Sequence, residues 1–138
     1  MTRLVLDASI AMSWCFPDEE NPYARTVLRK LREGEAVVPS IWSLEIANAL
    51  VVSERRGRLK FGEDSEFLTL VQGLEIEIDT RTSAQAFGET LSLARRYALS
   101  AYDAAYLELA LRQGLPLATL DSALRKAARK TGVPLLGQ

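Results

Sequence analysis

Short apolar runs alternate along this chain with longer stretches whose apolar side chains recur every three to four positions. Leu4-Val5-Leu6, ended by Asp7, reads as a short buried strand, and Ala36-Val37-Val38, stopped by Pro39, as a second. Leu74 to Asp79 alternates apolar with acidic residues, the pattern of a strand exposed on one face. Pro116 to Thr119 predicts a fourth strand ending near Asp121, and Val133 to Leu136 a fifth. The helical periodicity covers Ser9 to Trp14, Asn21-Pro22 to Gly34, Ile41 to Arg56, Glu63 to Gly73, Ser83 to Ala98, Ala101 to Gln113 and Ser122 to Thr131. Proline in a first turn (Pro22) and glycine past a last one (Gly34, Gly57, Gly114) punctuate these helices, and Ser40 is placed to cap the long one.

Strands alternating with helices of this length predict an α/β fold with a central, mostly parallel sheet. The 138 residues suit one domain, 1–138. In such sheets ligands bind beyond the carboxyl ends of the strands. Acids at those ends are therefore the first place to look for chemistry.

Asp7 and Asp121 each follow a strand and precede a helix, so each is either a helix cap or a crevice residue. Glu45 is the only charge over three turns of a helix that is apolar around almost its whole circumference, and Asn48 lies one turn on. That helix should be buried, and a lone buried carboxylate calls for a partner or a metal. Asp103 opens another apolar helix, where Ser100 and Asp103 also match a capping box. Glu108 lies roughly 140° around that helix from Asp103 and is expected in solvent. Asp79 reads as a turn or cap residue.

Composition narrows the chemistry. The chain has no histidine, which removes Ser-His-Asp and Cys-His catalysis and imidazole metal sites. Its one cysteine, Cys15, allows neither an intrachain disulfide nor a zinc cluster. Four converging carboxylates would repel one another, and a hard cation such as Mg²⁺ or Mn²⁺, which takes oxygen ligands, would relieve that repulsion and activate a water. The hydroxyls of Ser9 and Thr119, two residues from Asp7 and Asp121, serve either that site or a local turn. With a net charge of −1, any attraction to nucleic acid must be local. The basic groups are Arg55-Arg56-Gly57-Arg58, Arg95-Arg96, and Arg125-Lys126 with Arg129-Lys130, each either a phosphate contact or a solvated helix end. No signal-peptide pattern and no membrane-spanning run is present, so a cytoplasmic location is the default expectation.

Four segments together resemble the PIN-domain family. Leu4-Val5-Leu6-Asp7-Ala8-Ser9 resembles its opening strand, and Trp42-Ser43-Leu44-Glu45-Ile46-Ala47-Asn48 its helix with the second acid. Leu99 to Tyr106 and Leu117 to Asp121 resemble its third and fourth motifs, in the same order over nearly the whole chain. The chain looks most like the VapC-type toxins within that family. The resemblance implies a three-layer α/β/α fold and Mg²⁺- or Mn²⁺-dependent endoribonuclease activity, often on tRNA or rRNA. It also implies a homodimer and a VapB-type antitoxin. By the same resemblance Asp7, Glu45, Asp103 and Asp121 are the metal-binding catalytic acids, with Ser9, Asn48 and Thr119 as supporting groups.

Three other readings compete. A receiver-type signalling domain would use Asp79 as phosphate acceptor, but no lysine follows in Val133 to Leu136. A phosphatase with a nucleophilic Asp7 usually carries Asp-x-Asp, where this chain has Ser9. A PIN fold that only binds RNA would not need the full acid set.

Overall fold

The computed structural model describes residues 1–137. Strand β1 (Arg3–Leu6) runs through the middle of the structure, and its Leu4, Val5 and Leu6 have no exposed surface. It pairs in parallel with β2 (Glu35–Val38) on one side and β4 (Leu117–Ala118) on the other, and β2 pairs with β3 (Ile76–Ile78), giving the order β3-β2-β1-β4. Parallel neighbours need long crossovers, which the helices supply. They are α1 (Ala8–Cys15), α2 (Pro22–Leu31), α3 (Trp42–Arg55), α4 (Ser65–Gln72), α5 (Thr82–Gln85), α6 (Leu91–Tyr97), α7 (Ala101–Gln113) and α8 (Ser122–Thr131). No described helix is long and apolar enough to cross a membrane.

The expected strand boundaries contract. Leu74 and Glu75 lie outside β3, and the expected fifth strand is reduced to a single parallel bridge between Leu117 and Leu135. Asn21 caps α2 as its sequence predicts, its Oδ1 accepting from the Ala24 amide at 3.0 Å, with Pro22 in the first turn. Gly34 closes the approach to β2, where an added Cβ would sit 2.3 Å from the Thr2 carbonyl oxygen.

Four expectations need correction. First, the helix from Ser83 to Ala98 is not uniform. A π-helical turn (Ala86–Thr90) separates α5 from α6, and α6 ends on Ala98 in the left-handed region at φ 54°. Second, α3 is not buried all round. Trp42, Ile46 and Leu50 face the core, while Leu44 is 73% exposed and Val51 39%. Third, Ser40 does not cap α3. Its amide donates to Thr82 Oγ1 at 3.0 Å, and Ile41 occupies the cap position with helical backbone angles. Fourth, Glu108 is buried, because Arg112 one turn later takes both its oxygens, at 2.8 and 3.0 Å. The helix surrounded by protein is α7, whose residues Ala104 to Ala110 are all buried.

Candidate active site

The parallel sheet brings the carboxyl ends of β1 and β4 side by side, so residues far apart in sequence meet there. Asp7 leaves β1 almost wholly buried. It occupies the cap position of α1 but makes no side-chain capping bond. Instead its Oδ2 accepts from Ser9 Oγ at 2.7 Å and from Thr119 Oγ1 at 2.6 Å. Each hydroxyl also accepts a backbone amide from the turn after β4: Leu120 N–H to Ser9 Oγ at 3.1 Å, and Asp121 N–H to Thr119 Oγ1 at 3.0 Å. Ser9 and Thr119 therefore clamp the β4–α8 turn onto the Asp7 carboxylate. Arg125 holds the same turn from the other side, donating to the Thr119 carbonyl at 2.8 Å.

Burial pushes the Asp7 carboxyl above its usual range. The hydrogen bonds from Thr119 and Ser9 oppose this, and the charge of Asp121 adds to it. Glu45 on α3 is also raised, first by burial and then by the charges of Asp7 and Asp103, against a lowering hydrogen bond from Tyr106. Asp103, in the first turn of α7, is raised by burial and by the charges of Asp7 and Asp121. The four acids thus share one electrostatic field. They do not form a closed cage: among the described residues no group of three or more His, Cys, Asp or Glu side chains already stands in metal-binding arrangement.

The capping alternatives are partly realised. Asp121 Oδ2 accepts from the Leu124 amide at 2.8 Å and caps α8. Ser100 Oγ accepts from the Asp103 amide at 3.0 Å and caps α7. Capping does not remove either acid from the shared field, because the α8 cap uses one oxygen of Asp121 and the α7 cap uses only the backbone amide of Asp103. Asn48 is exposed and joins no hydrogen bond of this network among the described residues. Asp79 accepts from Thr82 Oγ1 at 3.0 Å, in keeping with its reading as a turn residue, and also takes Arg112 at 2.8 and 3.1 Å.

Tyr106 escaped the sequence reading. Fully buried, it donates its hydroxyl to Glu45 Oε1 at 2.5 Å, and its own phenol oxygen accepts from the Ala8 amide. The signal was its spacing: a tyrosine at i+3 from Asp103 shares that acid's helix face. Burial, together with the charges and hydrogen bond of its acidic neighbours, pushes the phenol far above its ordinary range, so it stays a donor.

An all-oxygen donor set in which the charges of Asp7, Asp103 and Asp121 raise the pKa of neighbouring acids suits a hard divalent cation. Comparison with known proteins agrees with this architecture. The sequence profile of the PIN domain matches residues 4–130. A ribonuclease VapC3 of Pyrobaculum aerophilum is 30% identical over 122 residues, spanning 88% of this chain and 92% of that protein. The crystal structure of PAE2754 from the same organism superposes with a TM-score of 0.67 at 22% identity, covering 91% of this chain and 86% of that one. A toxin–antitoxin complex from Klebsiella pneumoniae gives a TM-score of 0.56 at 17% identity, over 86% of this chain and 87% of its counterpart.

Proposed function

Because this chain belongs to the PIN-domain family, we propose that it is an endoribonuclease and the toxin of a VapBC-type toxin–antitoxin pair. The observation that carries the reading is the buried Asp7 carboxylate, held by Ser9 and Thr119 at the end of β1 within the field of three further acids. Such a cluster is unfavourable when fully ionised and becomes favourable with a cation among its members.

Asp7, Glu45, Asp103 and Asp121 would hold Mg²⁺ or Mn²⁺. When bound, such an ion lowers the pKa of a water and stabilises charge on a phosphate. The chain's own residues do the positioning. Ser9 and Thr119 fix the Asp7 rotamer, and Tyr106 fixes Glu45 and leaves its Oε2 without a hydrogen bond among the described residues. The Asp121 cap sets the direction of its carboxylate. A VapB-type antitoxin would silence the site by placing an arginine or another cation among the acids, offsetting the same repulsion. The protein would act as a homodimer on structured RNA such as tRNA or rRNA.

The test is cleavage of structured RNA by the purified protein with Mn²⁺, with EDTA, and after Asp7→Asn. Cleavage should require the cation and vanish in the variant. Turnover in EDTA, or an active Asp7→Asn protein, would overturn the mechanism.

A further inference from the structure

The basic residues divide sharply by what surrounds them. Arg58 is engaged by Glu19 and Asp18 and stacks 4.1 Å over the Phe16 ring. Arg125 holds the Thr119 carbonyl and lies 4.8 Å over Tyr23. Arg112 is locked between Asp79 and Glu108. Arg96, Lys126 and Lys130 differ from these. They come from two helices, α6 and α8, yet line one cleft of about 370 Å³ together with Tyr97, and no acid lines it. Among the described residues none of the three has an ion-pair partner.

Three cations lining one cleft without an acid among them, in a chain of net charge −1, repel one another. An anion in the cleft relieves that repulsion. The cleft also has a defined place. Ala98 on its wall lies five residues before Asp103, and Ala123 two residues after Asp121. The same two chain segments thus carry both the cations and two of the acids.

We propose that this cleft binds the sugar–phosphate backbone of the RNA next to the acidic site. Arg96, Lys126 and Lys130 neutralise successive phosphates, and the Tyr97 ring offers a face to a ribose or base. The inference rests on the nuclease reading for its substrate, but not on cleavage. It places the contacts on the backbone and gives them no base preference.

The test is binding of a short fluorescein-labelled single-stranded RNA, by anisotropy in EDTA across a salt series. The protein is the Asp7→Asn variant, with and without Arg96→Gln, Lys126→Gln and Lys130→Gln. Glutamine keeps most of each stem, and thermal melts verify that the variants fold. The triple change should weaken binding roughly tenfold and make the salt slope shallower by about 2. Lys30→Gln, beside Thr2 at the opposite end of the sheet, serves as the control and should change neither. Unchanged affinity and slope in the folded triple variant would overturn the cleft assignment, while cation-dependent cleavage by the wild type would still uphold the nuclease reading. A wild type that cleaves no RNA, beside a triple variant that loses RNA binding, would keep the cleft and remove the nuclease. The same proteins are titrated with fluorescein-labelled polyglutamate, and loss of that binding in the triple variant with RNA binding intact would assign the cleft to an acidic protein and overturn the proposal.

Discussion

The Tyr106 hydroxyl donates to Glu45 Oε1 across 2.5 Å, joining residues 61 positions apart. Tyr106 has no exposed surface and Glu45 is half-buried, so the bond is partly shielded from water and ties α7 to α3 beside Asp7. A hydrogen bond to a carboxylate in such a place is stronger than one between neutral groups.

Tyr106→Phe removes that donor and little else. Glu45 then loses the main force opposing the effect of burial on its pKa, which rises further. The acidic limb of the pH–rate profile for RNA cleavage should move to higher pH, and stability should fall by about 1 kcal/mol in a denaturant titration. An unmoved acidic limb would show that Tyr106 does not tune Glu45.

Asp7 gives the opposite sign to a stability measurement. Its pKa is raised by folding, so the cost of ionising it is absent at low pH. That cost grows as pH rises through the ordinary carboxylate range and is complete above the folded value. Protein in EDTA should therefore melt lower at neutral than at mildly acidic pH. Asp7→Asn and Asp103→Asn should each reduce that difference. Mn²⁺ at about 100 times its Kd should add roughly 2.7 kcal/mol to the wild type and less to either variant. Equal gains from Mn²⁺ in wild type and Asp103→Asn would remove Asp103 from the cation site.

Arg112 sits between two buried acids, and its loss should be severe. Arg112→Met leaves Asp79 and Glu108 buried without a cation, which costs about 3 kcal/mol at neutral pH. In the wild type, burial acts to raise the Asp79 pKa, but hydrogen bonds from Arg112 and Thr82 outweigh it and leave the pKa lowered. This contribution is present above the ordinary aspartate range and is lost as pH falls through the folded value. Urea titrations of both proteins across acidic pH should show the gap narrowing as Asp79 protonates. A constant gap would place the cost of the substitution in packing instead of charge.

At Gly34 the added methyl of alanine would meet the Thr2 carbonyl oxygen at 2.3 Å, and both atoms belong to backbone. That oxygen accepts the Glu35 amide at the start of the β1–β2 pairing. Gly34→Ala should cost about 1–3 kcal/mol by thermal melting, with no effect on cation affinity in the protein that remains folded. A variant as stable as the wild type would show that the turn relaxes freely.

The acids at strand ends were legible because a parallel sheet exposes its carboxyl edge whatever the details of its helices. That rule brought Asp7, Thr119 and Asp121 to the crevice, and the resemblance to PIN domains chose between site and cap. What the periodicity misjudged was neighbours. The segment Ile41 to Val52 is apolar on all sides, yet only its Trp42–Ile46–Leu50 stripe packs inward. Conversely, α7 carries Glu108 and Arg112 and is nonetheless enclosed, because those two charges neutralise each other and reach Asp79. Hydropathy scores residues one at a time and cannot register a charge that is cancelled across 33 positions. Tyr106 was hidden for a related reason: its partner lies on another helix.

The bond between Asp7 and Thr119 closes a loop of 112 residues. A ribosome makes Asp7 first and Thr119, its second clamp, 112 residues later. Until Thr119 and Asp121 emerge, β1 lacks β4 as a neighbour and Ser9 alone holds the carboxylate. A growing chain would therefore lack the full geometry of the site until β4 and the turn after it have been made. Nascent chains stalled before Pro116 should show no cation-dependent cleavage of RNA, whereas chains released after Thr131 should.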